Sequence, residues 1–184
     1  MRVHTKLILV KPNKDYIEDI RAYRQECMAS DHWVHGSSGL SGYDDIEKWI
    51  ENCRLNEHEE SVMPGYVLCE QFMLIKEGEN RILGMIAFRH YLNEETIEDG
   101  GHIGYSVRPS ERRKGYAAVM LSLCLDICRK AGLDKVLITC DADNKASRRT
   151  ILSLGGKFER LAKKENESDK DSERYWIITA SQNK

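Results

Sequence analysis

Residues 101–117 read GHIGYSVRPSERRKGYA, and two later stretches complete them, LDKVLITCDADNKASRR at 133–149 and SLGGKFER at 153–160. His102–Arg108 has the composition of a strand, and Pro109, which has no N–H to donate, ends it. The turn that follows is basic and carries a glycine. It opens a run in which Ala117, Met120, Leu121, Cys124, Leu125 and Cys128 recur at helical spacing, closing at Gly132. The first N–H groups of such a helix have no partner within it, and the helix dipole is positive there, so the turn is suited to an anion. Arg112, Arg113 and Lys114 add charge beside it, and Gly115 and Ala117 are small enough for close approach to the main chain.

Two better-known phosphate sites are excluded, since the chain has neither the GxxxxGK[ST] of a P-loop nor a GxGxxG after a strand. What it has is Arg112-x-x-Gly115-x-Ala117 after Val107-Arg108-Pro109, then Asn144 one helix and one strand later, then Gly155-Gly156-x-Phe158. This pattern resembles the acetyl-coenzyme A motif of the GCN5-related N-acetyltransferase (GNAT) superfamily. GGHIGYSVRPSER at 100–112 and RYWI at 174–177 are also similar to a group of bacterial predicted acetyltransferases of unknown substrate. The resemblance covers residues 66–180. It implies an α/β (α+β) fold with a mixed, mostly antiparallel central sheet of about six to seven strands flanked by about four helices. Residues 1–184 would form one domain, with 1–65 on the acceptor side and 66–184 as the acetyl-CoA core.

The resemblance also assigns roles. The main chain of Arg112, Arg113, Lys114, Gly115, Tyr116 and Ala117 would hold the pyrophosphate of acetyl-CoA. The backbones of Tyr105 and Val107 would pair with its pantetheine arm, with the Val107 N–H as oxyanion donor. Asn144 matches a residue that bonds the arm, and it equally suits a helix N-cap. Ser147 matches a serine placed near the sulfur in some branches, where it protonates the departing thiolate; otherwise it is a first-turn helix serine. The tyrosine that many members carry further along this helix is missing, its positions being Ile151 and Leu152, so the acid is Ser147, water or a residue such as Tyr175. His102 stands where many members have a glutamate base, and its ordinary pKa of about 6.5 suits that task. Glu26, Glu70, His90, Glu94 and a water relay are the alternatives.

The expected reaction is acetyl transfer to a primary amine of a small molecule, such as a polyamine, amino sugar or amino acid. A protein N-terminus or lysine is the alternative, as is a non-catalytic acyl-CoA sensor. The acceptor would meet the loop SDHWVHGSSGLSG at 30–42 with Tyr43, together with Arg89-His90 and Arg174-Tyr175-Trp176.

Charged residues make up 32% of the 184 and apolar ones 41%, with a net charge of −2, so no global basic field points to nucleic acid. No apolar run approaches the roughly 18–20 residues of a membrane span, and MRVHTKLILVKP has too short an apolar core for a signal peptide. The six cysteines sit mostly at apolar positions without histidines at ligand spacing, so they read as reduced, buried thiols of a cytoplasmic protein with no metal. Exposed sheet edges allow a homodimer.

Thr5–Lys11 reads as a first strand. Asn13 caps a helix over Lys14–Ala29, and Ser41 with Asp44 has capping-box spacing before a second helix carrying Ile46, Trp49, Ile50 and Cys53. Tyr66–Lys76 and Arg81–Tyr91 form a hairpin, and the acidic stretch 92–100 is a loop. Lys135–Cys140 is a strand and Asn144–Leu154 a helix. Lys157–Lys163 and Arg174–Thr179 close the sheet around a polar tip, Glu165–Asp171.

Overall fold

Strands β1 (Leu7–Val10), β2 (Cys69–Lys76), β3 (Ile82–Arg89) and β4 (Ile103–Val107) pair in that order as one antiparallel sheet. A second antiparallel sheet holds β5 (Lys135–Asp141), β6 (Lys157–Ala162) and β7 (Ser172–Ile178), with β7 in the middle. The computed structural model describes residues 6–98, 100–163 and 170–180. Within them the helices are α1 (Ile17–Asp31), α2 (Ile46–Leu55), α3 (Glu94–Glu98), α4 (Tyr116–Lys130) and α5 (Lys145–Ser153). Seven strands are thus present as expected, and α3 is a short helix in the acidic stretch read as a loop. The tip expected at 165–171 lies largely outside the described residues.

Strand alternation sorts the apolar side chains into two layers. Phe72, Leu74, Leu83, Ile86 and Phe88 meet Met120, Leu121, Cys124 and Cys128 of α4. On the opposite face Met73, Ile75, Ile82 and Met85 meet Ile20, Tyr23 and Cys27 of α1, and Ile46, Trp49 and Cys53 of α2. Each large side chain buried this way contributes roughly 1.5–3 kcal/mol. Five of the six cysteines are buried in these layers or at β5, and Cys69 is half-buried.

Side-chain caps mark some of the helix starts. Asn13 Oδ1 accepts from the Asp15 N–H at 2.9 Å and so caps a 3-10 turn, Lys14–Tyr16, whereas α1 itself, expected from Lys14, starts at Ile17 without a side-chain cap. The capping box read at Ser41 and Asp44 is not formed. Asp45 directly precedes α2, and its Oδ1 accepts from the Glu47 and Lys48 N–H groups at 3.0 and 3.3 Å. Ser41 instead sits in a 3-10 turn, Leu40–Gly42, and accepts from the Val34 N–H at 2.8 Å.

The two sheets share one apolar core, and among the described residues one main-chain bridge links them. Gly101 bridges Ile138, the His102 N–H donates to Leu137 O at 2.8 Å, and the Leu137 N–H donates to His102 Nδ1 at 2.9 Å. Beyond this clasp no ladder joins β4 to β5. His102 is 8% exposed, and burial first, then the Arg89 charge, hold its imidazole down at about 4. This engagement speaks for a structural role at His102, where a catalytic base was expected. One ring nitrogen is engaged with main chain, and a group with so low a pKa takes up an amine proton poorly.

His102→Ala is expected to lower stability by about 1–3 kcal/mol, because a buried Leu137 N–H loses its acceptor. The folded pKa lies below the unfolded one of about 6.5, so the contribution is full above that value. It declines as pH falls toward about 4. Denaturant unfolding at about pH 5 and about pH 7.5 checks both points, the variant showing a shallower pH slope than the parent.

Candidate active site

The pairing register decides which main-chain groups of β4 are available. Arg89 N–H donates to His102 O at 2.7 Å and Arg108 N–H to Leu83 O at 2.9 Å, while Gly104 and Ser106 stand opposite Ala87 and Met85. Bonded residues alternate along an antiparallel strand. The even-numbered residues therefore face β3, and Ile103, Tyr105 and Val107 direct N–H and C=O into the gap toward β5.

The gap opens toward the start of α4. Gly115 is the N-cap residue, with φ of 82° and no side-chain cap bond, so the first N–H groups of α4 are uncapped. A Cβ built on Gly115 would meet nothing within 4 Å. This open, uncapped terminus beside an outward-facing strand fits the phosphates and amide-bearing arm of coenzyme A. The side-chain charges read from the sequence are less free. Arg112 forms a two-pronged pair with Asp31 at the end of α1, and its Nε donates to Val107 O at 3.3 Å. Lys114 Nζ pairs with Glu111 at 2.7 Å. Arg113 occupies the left-handed region at φ 62°.

A cavity of about 1120 Å³ lies between the parted strands and the loop after α1. Ile103, Gly104 and Tyr105 line it, as do Asn144 and Ser147, whereas Val107 and the loop 112–117 do not. The expected loop supplies its roof, with Trp33, His35 and Gly36 among the lining residues. Gly36 has φ 62°, and a Cβ there would meet the carbonyl carbon and oxygen of Gly104 at 2.3 Å. Ser106 Oγ donates to His35 O at 2.6 Å, which fixes the loop on β4, and Trp49 Nε1 donates to Ser37 O at 2.8 Å, which ties it to α2.

One pair of side chains inside the cavity was not foreseen. The Tyr105 hydroxyl lies 2.7 Å from Ser147 Oγ. Burial pushes the phenol up to about 12, with the Ser147 bond acting against that rise. Asn144 caps α5, its Oδ1 accepting from the Ser147 N–H at 3.0 Å. Ile151 is fully buried in the core. The period-two pattern of β4 puts Tyr105 on one face with Ile103 and Val107, but nothing local says that α5 starts beneath it.

Other candidates are held elsewhere. Tyr175 donates to Glu173 Oε2 at 2.6 Å, and Glu173 pairs with Arg148 at 2.6 Å. His90 Nε2 is 2.8 Å from Glu70, which also pairs with Lys11 at 2.6 Å. Glu26 accepts from the Ser110 N–H at 2.6 Å. Arg174 pairs with Glu159 at 2.6 Å. Glu94 belongs to α3, and neither it nor any of these residues lines the cavity.

The acetyltransferase (GNAT) domain family matches residues 6–157. The chain belongs to this family. An uncharacterized N-acetyltransferase, YnaD of Bacillus subtilis, is 30% identical over 96 residues, which is 52% of this chain and 54% of that protein. The match thus spans about half the length of this curated relative. Among solved structures, a Salmonella typhimurium acetyltransferase that modifies the N-terminal serine of ribosomal protein L7/L12 superposes with a TM-score of 0.65 at 21% identity, over 96% of both chains. The microcin C7 self-immunity acetyltransferase MccE, solved with acetyl-CoA and AMP, gives 0.70 at 17% identity, over 97% of this chain and 95% of its own. These likenesses show that the fold is the family's.

Gly36→Ala is expected to destabilise the protein by roughly 1–3 kcal/mol, through a strained φ and the contact with Gly104. Thermal unfolding measures the loss, and faster hydrogen exchange across residues 33–39 would locate it.

Proposed function

We propose that the protein transfers an acetyl group from acetyl-CoA to a primary amine of a small molecule. The observation that carries this reading is the outward-facing main chain of β4, set between the uncapped α4 terminus and the Tyr105–Ser147 pair. The coenzyme supplies an acetyl thioester. In the overall exchange the amine nitrogen gains a bond to the acetyl carbon, the carbon–sulfur bond breaks, the nitrogen gives up one proton, and the sulfur takes one.

The chain contributes mainly position and fixed dipoles. The N–H groups at the start of α4 hold the phosphates, with Arg113 adding charge. The Val107 main chain pairs with the arm near that open end. The Tyr105 N–H, which faces the gap beside the cavity, takes the oxyanion role read at Val107. The phenol of Tyr105, protonated throughout the neutral range, donates toward the sulfur directly or through Ser147. Asn144 holds the turn that carries Ser147. With His102 engaged in the clasp, the amine proton leaves through water in the cavity.

A protein N-terminus is the second reading. Trp33, Met63 and Tyr66 line the cavity yet are 52%, 64% and 69% exposed, an apolar rim of the kind a peptide covers.

Gly115→Asp puts a carboxylate at the α4 terminus and is expected to weaken acetyl-CoA binding at least about 100-fold, while Gly115→Asn, which tolerates the same φ, weakens it less. Calorimetric titration decides this, and unchanged affinity in folded Gly115→Asp removes the site. Tyr105→Phe and Ser147→Ala should each lower kcat by about 10- to 100-fold with little change in the KM for acetyl-CoA. Thiol release over a panel of small amines and N-terminal peptides measures this and identifies the acceptor class.

A further inference from the structure

A ligand seated at the α4 terminus and laid along β4 spans roughly 17 Å, five residues at about 3.3 Å each. Its reacting end then points at the place where β4 and β5 meet. Arg89, the last residue of β3, stands there. Its Nη1 donates to the Gly101 carbonyl at 2.9 Å, the same Gly101 that bridges Ile138, so the guanidinium is fixed at the closed end of the gap. Arg89 is half-buried and lines the cavity with Ile103 and Gly104.

A guanidinium carries five donors in a planar fork, suited to a carboxylate. Among the described residues no carboxylate lies within 4.0 Å of it, whereas Arg108, Arg112, Arg148 and Arg174 all have one. The described acidic residues that line the cavity, Glu95 and Asp141, form no ion pair with Arg89. Glu95 is exposed on α3, and Asp141 ends β5 beside the α5 cap. The neighbouring polar lining, Asn56, Asn93 and Thr96, is uncharged. A cation with no carboxylate partner among the described residues, set at the reacting end of a cavity, repels an acceptor rich in ammonium groups and favours one that brings an anion.

We infer that Arg89 is a carboxylate-binding subsite, and that the acceptor is an amine bearing a carboxylate, of the amino-acid class. This rests on the acetyl-transfer reading above, and it selects among small amines, setting polyamines aside.

Thiol release from acetyl-CoA, measured for the standard amino acids paired with their decarboxylated amines, tests it in the parent and in Arg89→Gln. In pairs that react, the carboxylate-bearing member should be favoured by at least about 30-fold in kcat/KM, and Arg89→Gln should cut that preference to below about 3-fold through the acceptor KM. The KM for acetyl-CoA should stay within about 2-fold, which a merely structural role for Arg89 would not preserve. Equal use of both members of a pair, or a preference that survives in Arg89→Gln, overturns the inference, as does better use of spermidine or N-terminal peptides. Titration with the N-acetylated amino acids needs no turnover. Binding of at least one, lost in Arg89→Gln, supports the subsite, and binding of none refutes it. Failure of acetyl-CoA itself to bind would sink the transferase reading, while this titration would still decide the role of Arg89.

Discussion

The structure depends on a strand that is paired on one side only. A main-chain N–H or C=O turned away from its partner strand must find another partner or water, and β4 turns the groups of Ile103, Tyr105 and Val107 toward β5 without a ladder to meet them. The Gly101–Ile138 bridge and the two bonds between His102 and Leu137 fix the point of divergence. An unsatisfied strand edge of this kind is usually a hazard. On the proposed reading it serves as a template for an extended, amide-bearing ligand.

Buried polar groups tie the N-terminal elements to that template. Gln71 is fully buried, and its Nε2 donates to Gly36 O, Phe72 O and Ile86 O at 3.1, 3.0 and 3.1 Å while its Oε1 accepts from Ser38 at 2.8 Å. Arg108, 2% exposed, pairs with Asp19 of α1 at 2.7 Å, and Asp19 also accepts from the Ile82 N–H at 2.6 Å. Removing one member of such a network leaves the others buried without partners. The loop that roofs the cavity is thereby set by the same sheet that carries the outward-facing strand.

The strand, turn and helix at 101–130 were legible because each step has local chemistry: alternation, a proline that ends pairing, a glycine at a left-handed position and an apolar helical stripe. The parting of β4 from β5 came from resemblance, since no periodicity shows which strand a neighbour avoids. Residues whose roles depend on contacts distant in sequence were read less well. A histidine in sequence carries the ordinary pKa of a base, and only the fold shows His102 buried, bonded to Leu137 and set beside the Arg89 charge. Tyr105 was read for its main chain, because its hydroxyl meets Ser147 across 42 positions of sequence. Ser41 and Asp45 show the same limit on a smaller scale, two good capping residues that only the fold assigns.

The ion pairs around the α4 turn carry one further consequence. Of the three basic side chains there, Arg112 already faces Asp31 and Lys114 faces Glu111. On the proposed reading the turn holds its anion more through oriented main-chain dipoles than through mobile cations. Dipoles of that sort act at short range, where dissolved ions screen little. Affinity for a phosphorylated ligand should change only gently with ionic strength, unlike that of a surface that gathers anions through a field of lysines and arginines.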